Sequence, residues 1–141
     1  MNYKIGLARN RFAVLLILIF PLLTSAADND TITVKQFGLL PDTRENAVKF
    51  VQQALELCKT KEHPVLTFPK GRYDFWPQYS IEKEYYESNT TTINPKRCPI
   101  WINDFKNLVI DANGSDFIYH DRVQPFTIDH SENITIKNVS I

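Results

Sequence analysis

An excess of charge of either sign is missing from this sequence. In 141 residues, 16 Lys+Arg stand against 16 Asp+Glu, a formal net charge of +0. Without a positive field to attract a polyanion, nothing points to nucleic acid as a partner. Four glycines and eight prolines are too few for a collagen-like chain. A composition 43% hydrophobic and 23% charged excludes disorder and fits a single globular domain. Cysteine is nearly absent, with only Cys58 and Cys98. There is no CxxC, HxH or HExxH, and His63, His120 and His130 are scattered. No metal site and no cofactor are expected from that pattern.

Long apolar runs are absent too, except one. Residues 1–11 carry Lys4, Arg9 and Arg11 and no acid, residues 12–23 are apolar, and Thr24, Ser25, Ala26 and Ala27 are small. Positive region, short apolar core and small-residue site make a secretory signal peptide over 1–26, cleaved after Ala26 or Ala27. The run is too short for a lasting membrane anchor, and no Cys follows it to carry lipid. The expected location is therefore periplasmic or extracellular. Cleavage removes three bases and no acid, so the mature chain is mildly acidic. Export permits a disulfide, and closing the Cys58–Cys98 loop would stabilise by about 4 kcal/mol in the chain-entropy model. Cys58, however, falls on the apolar face of a predicted helix, which favours two unpaired structural thiols. Connectivity itself does not follow from the sequence.

The mature chain divides into a cap region, 27–99, and a repeat, 100–141. Alternation over Thr31–Phe37 predicts a strand, with Ile32 and Val34 on one face. After Gly38-Leu39-Leu40-Pro41, Asp42 precedes Glu45 with capping-box spacing. Ala47, Val48, Val51, Ala54, Leu55 and Cys58 then recur at steps of three and four, predicting an amphipathic helix over about 42–60. Lys59 and Lys61 suit its C-terminal end, and Pro64 stops it. Short strands are expected at Val65–Phe68 and Tyr73–Trp76, either side of the turn Pro69-Lys70-Gly71. Residues 77–99 read as a long polar surface excursion. Trp76, Tyr79, Tyr85 and Tyr86 could present faces to a sugar there, or could pin the loop to the body.

Beyond Pro99, β-rich runs fall at 100–102, 108–110, 117–119, 126–128, 134–136 and 139–141. Such spacing suits a sandwich, a barrel or a solenoid. An internal match favours the solenoid. The run Ile100-Trp101-Ile102-Asn103-Asp104-Phe105-Lys106-Asn107-Leu108-Val109-Ile110 aligns without gaps on Phe126-Thr127-Ile128-Asp129-His130-Ser131-Glu132-Asn133-Ile134-Thr135-Ile136. A period of that length is what one turn of a parallel β-helix needs, with strands stacked at about 4.8 Å. Asn107 and Asn133 would then stack at one corner. The apolar alternation through Val139 and Ile141 would leave an open parallel edge, so a longer protein is expected to continue the stack.

Val34-Lys35-Gln36-Phe37-Gly38, Pro41-Asp42-Thr43, the helix and Val65–Tyr73 together resemble the cap of pectate-lyase-like right-handed parallel β-helices. The longer run Phe68-Pro69-Lys70-Gly71-Arg72-Tyr73-Asp74-Phe75-Trp76-Pro77 adds to this, with Tyr85-Tyr86-Glu87-Ser88-Asn89-Thr90 and Phe126–Ile136. Together these runs are similar to the start of the bacterial α-1,3-galactosidases of glycoside hydrolase family 110. That resemblance implies a mainly β protein: a capped right-handed parallel β-helix, here with one to two coils and truncated. It implies an exported exo-glycosidase that removes terminal α-1,3-linked galactose from blood-group-B-like or linear glycans, with inversion and no metal.

Members of that family are several times longer, and their catalytic aspartates lie in later coils. No residue here is assigned as catalytic, and the piece alone is expected to be inactive. Asp111, Asp116, Asp121 and Asp129 sit in or beside the coils, where carboxylates cap turns or face solvent. Arg72 and Asp74 could form a structural ion pair at the cap. Two other readings keep the fold. One is a non-enzymatic carbohydrate-binding β-helix using Trp76, Tyr79, Tyr85 and Tyr86. The other is a polysaccharide lyase or pectinase-type enzyme, which the acidic mature charge and missing basic cluster disfavour.

Overall fold

The computed structural model describes residues 30–86 and 95–141. The expected signal peptide over 1–26 and the 87–94 part of the polar excursion lie outside the described residues. The described residues are mainly β, with one α-helix among them and strands that pair mostly in parallel.

β1 spans Thr31–Thr33 and is shorter than the expected 31–37 strand. Val34–Phe37 coils instead into a 3-10 helix, because Thr33 Oγ1 accepts the Lys35 N–H and Gly38 closes the turn at φ 94°. Ile32 and Val34 still reach the core, so the burial pattern survives the change of backbone. α1 runs Val48–Cys58 and starts later than the 42–60 span. The capping box does not form: Asp42 is left-handed at φ 63° and its carboxylate accepts the Arg72 N–H. Asn46 takes over, its Oδ1 accepting the N–H groups of Val48 and Trp76. Val48, Val51, Ala54, Leu55 and Cys58 form the buried stripe.

β2 (Val65–Thr67) and β3 (Arg72–Phe75) flank a turn whose residues each have a task. Tyr73 Oη donates to the Pro69 carbonyl at 2.6 Å, and buried Ser115 accepts the Gly71 N–H while donating to the same carbonyl. Gly71 has φ 152°, and a Cβ there would lie 2.5 Å from Pro41 Cβ. Only glycine fits. The excursion is not all loop. β4 (Ile81–Lys83) pairs antiparallel with β5 (Lys96–Cys98), so its two ends form a ribbon, a pairing that its polar composition hides.

β6 (Ile100–Asn103), β7 (Val109–Tyr119), β8 (Phe126–Asp129) and β9 (Thr135–Ser140) complete the order. The separate strands expected at 108–110 and 117–119 are two arms of β7. They are joined at Asn113 and Gly114, both with positive φ. β9 likewise bends at Asn138, φ 56°. The first arms stack as β1, β2, β7 and β9, the second arms as β3, β7 and β9, and β6 stacks on β8, all in parallel.

The gapless sequence match is the observed register. Ile100 pairs with Phe126, Lys106 bridges to Glu132 and Ile110 pairs with Ile136. Asn133 Nδ2 donates to Asn107 Oδ1 at 3.1 Å, and both residues are left-handed. Ile32, Leu66, Ile110 and Ile136 make an aliphatic ladder through four strands. Beside it lies an aromatic column, with Phe117 between Phe68, Tyr73 and Phe75 at centroid distances of 4.8, 5.9 and 5.1 Å. Cys58 and Cys98 are free and buried. Burial pushes the Cys58 thiol up to about 12 and raises that of Cys98.

Candidate functional site

Strand geometry sends alternate side chains to opposite faces. On β3, Tyr73 and Phe75 enter the aromatic column, so Arg72, Asp74 and the following Trp76 line the outer face. β7 lies alongside in parallel register, Arg72 opposite Asp116 and Asp74 opposite Ile118. The same register carries His120 opposite Trp76, and the His120 N–H donates to the Phe75 carbonyl at 2.9 Å. The two rings stack at 3.6 Å with an interplanar angle of 4°.

Beneath them a charged cluster holds the histidine. Asp74 is 2% exposed. Arg72 grips it with two bonds, Nε to Oδ2 at 2.9 Å and Nη2 to Oδ1 at 2.6 Å. His120 Nε2 meets Asp74 Oδ1 at 2.7 Å. The Arg72 bonds, and secondly the His120 bond, hold the Asp74 carboxyl below the usual carboxylate range against the opposing effect of burial. An ionised carboxylate only accepts, so Nε2 of His120 carries its proton and Nδ1 is left as the second polar edge of the ring. The Arg72–Asp74 pair expected from sequence is therefore present, and it is the foundation of a four-residue assembly.

In the sequence His120 is one of three scattered histidines. The signal that finds it is the recurrence of aromatic rings: Tyr73 and Phe75 are matched in strand register by Phe117 and Tyr119, and just past the two strands Trp76 is matched by His120. That spacing differs from the 26-residue period of the later strands, because the polar excursion inflates the first turn.

Tyr79, Tyr85 and Tyr86 follow Trp76 into the polar excursion. Tyr79 is exposed and left-handed, and its carbonyl accepts from Gln52 Nε2 at 2.7 Å, which ties it to α1. Tyr86 is 74% exposed and Tyr85 half-buried next to it. A cleft of about 680 Å³ lies between α1 and β6, lined by Gln52, Glu56, Ile81, Trp101 and Asn103 among others. One face of its Trp101 is taken by Lys83 Nζ, 3.9 Å from the ring centroid.

Two of the four aspartates near the coils, Asp111 and Asp129, have structural partners. Asp111 accepts from Asn138 Nδ2 and the Asn113 N–H and pairs with Lys137, and these contacts lower its pKa. Asp129 pairs with His130 Nδ1 at 2.8 Å. Among the described residues, no three His, Cys, Asp or Glu side chains gather as a metal site.

No family model matches the chain. It is 53% identical over 117 residues to alpha-1,3-galactosidase B of Bacteroides thetaiotaomicron, covering 83% of this chain and 19% of that protein. It is 39% identical over 119 residues to alpha-1,3-galactosidase B of Phocaeicola vulgatus (82% and 20%) and 36% identical over 123 residues to alpha-1,3-galactosidase A of Bacteroides fragilis (82% and 20%). The matches fall on the N-terminal part of these longer proteins. The chain spans about a fifth of the length of the curated relatives it matches.

Proposed function

We propose that this chain is the N-terminal cap and first coils of an exported exo-glycosidase that removes terminal α-1,3-linked galactose from blood-group-B-like or linear glycans. The observation that carries the reading is its 53% identity, over 83% of its length, to a protein named alpha-1,3-galactosidase B. The sequence over 1–26 supports export. The parallel register, offset by 26 residues from Ile100 to Asp111 and by 24 past that corner, together with one apolar core cluster, supports a right-handed parallel β-helix.

On this reading the chemistry is inverting hydrolysis: one carboxylic acid protonates the leaving oxygen while a carboxylate activates water on the opposite face. The two groups stand about 6.5–9.5 Å apart. Asp111 and Asp129 pair with neighbours, and on this reading the reacting pair is supplied by later coils of the longer protein. The part played here is to seal the end of the solenoid and to set the register on which those coils stack.

The test is galactose release. The native exported product, incubated with galactosyl-α-1,3-galactose, is expected to liberate galactose whose first-formed anomer, seen by proton NMR, is β. A retained α anomer would refute inversion. No release from either linear or branched substrates would refute the glycosidase reading.

A further inference from the structure

We propose that Trp76, stacked on His120 and anchored through Asp74 to Arg72, is a preformed platform for a neutral pyranose, a glycan-binding subsite separate from the reacting centre. The stack is not needed to join the strands. The His120 N–H already bonds the Phe75 carbonyl, and the Trp76 N–H bonds Asn46 Oδ1. Nor does it fill the core, since Trp76 is 40% exposed. One indole face is covered by the imidazole at 3.6 Å, so that exposure comes from the opposite face and the ring edge.

What the fold commits to this pair is a carboxylate at 2% exposure, an arginine fork and a fixed histidine tautomer. That is the arrangement by which a binding side chain has its rotamer locked from behind before the ligand arrives.

The chemistry selects the ligand. An exposed indole face accepts the patch of C–H groups that a pyranose presents on one side, and galactose, with its axial hydroxyl, presents a continuous one. Two hydrogen-bonding groups for hydroxyls accompany the indole: the second nitrogen of His120, and the partly exposed Arg72 guanidinium, which shares Asp74 Oδ1 with that histidine. Arg72 is balanced by Asp74 and Asp116, so the patch has no net positive charge with which to prefer a uronate or sulfated sugar. The choice of galactose within the neutral sugars rests on the functional reading above.

The full chain is titrated with galactosyl-α-1,3-galactose by saturation-transfer NMR and tryptophan fluorescence, with galactose release measured separately on the native exported product. Wild type is expected to bind in the millimolar range, Trp76→Ala about tenfold more weakly, and Trp76→Phe within about threefold of wild type. Asp74→Asn, which keeps both rings but loosens the histidine, is expected to weaken binding severalfold while the thermal transition persists. Lys106→Ala, on an exposed residue elsewhere, serves as the control with unchanged binding. Undiminished binding by Trp76→Ala, or no binding by wild type, overturns the platform. If Trp76 is required for binding but the exported product releases no galactose, the platform stands and the glycosidase reading falls. If galactose is released but binding does not depend on Trp76, the glycosidase reading stands and the platform falls.

Discussion

Replacing Phe117 with alanine is the sharpest test of what holds the strand stacks together. Phe117 is fully buried and lies within ring contact of Phe68, Tyr73, Phe75 and Phe126, with centroids 4.8, 5.9, 5.1 and 6.4 Å away. Truncating a buried Phe costs about 3–5 kcal/mol through lost transfer energy and the residual cavity. Each aromatic pair adds about 0.5–1.5 kcal/mol beyond area, though the pairs are not additive. Ring neighbours on two strands and a turn limit collapse of the cavity, so the upper end applies, about 4–5 kcal/mol. Phe126 sets the internal scale. It is only half-buried and its ring contacts are longer, 6.4 Å to Phe117 and 6.2 Å to Tyr119. Phe126→Ala is expected to cost about 2 kcal/mol. Urea denaturation of the two variants and wild type, followed by circular dichroism, measures both. At a slope of about 1–3 kcal/mol per molar, Phe117→Ala should move the midpoint by roughly 2 M, enough to leave a marginal domain mostly unfolded. A loss under about 2 kcal/mol at Phe117, or a larger one at Phe126, would refute the view that the aromatic column is the keystone.

Gly71→Ala should cost about 2 kcal/mol or more in the same assay, since its Cβ would collide with Pro41 at a positive φ; unchanged stability would show that the turn relaxes freely. Asn107→Ala should cost about 1–2 kcal/mol from left-handed strain and the lost Asn133 bond, whereas Asn107→Gly should recover most of it, both read by thermal melting. The Asp74 carboxyl has a lowered native pKa, so its contribution is complete above the unfolded value near 3.8 and fades as pH falls through the lower native value. Stability measured from pH 6 downward should therefore drop less steeply in Asp74→Asn than in wild type, and parallel curves would contradict the assignment. Cys58 and Cys98 should resist a thiol reagent at pH 8 while the chain is folded and react when it is unfolded in urea. Rapid labelling of the native chain would mean that the interior opens on the timescale of the reaction.

The parts of the structure legible from sequence are those governed by local periodicity. The apolar stripe of α1 is plain in the sequence because every third or fourth residue faces one core. Its start is not, because the nearest capping spacing, Asp42 to Glu45, is overruled by a tertiary partner, the Arg72 N–H. Val34 to Phe37 alternates like a strand but is a 3-10 helix, since Thr33 and Gly38 offer local hydrogen bonds that compete with a ladder. The β4–β5 ribbon is invisible because its residues are mostly exposed and leave no hydrophobic signature. Of the aromatics suggested as sugar-facing, Trp76 stacks on a ring that is remote in sequence, His120.

The repeat and the platform illustrate one rule. In a parallel stack, residues one turn apart become neighbours, so a constant turn length writes tertiary contacts into the sequence as an offset. Between β6–β7 and β8–β9 the turn is constant at 26 residues, and the Asn107–Asn133 bond can be read directly. Past the corner at Asp111 the offset shortens, Ser115 pairing with Val139, because β7 uses two extra residues in turning through Asn113 and Gly114 where β9 turns at Asn138 alone. The turn from β3 to β7 is longer still, swollen by the polar excursion, yet the strands inside it keep strict register. Trp76 and His120 are thus as firmly paired as the two asparagines. What separates them in legibility is the loop between the strands, which carries length but no pairing information. Insertions in solenoids therefore hide contacts without weakening them, and the aromatic pattern of the flanking strands is the signal that restores the alignment.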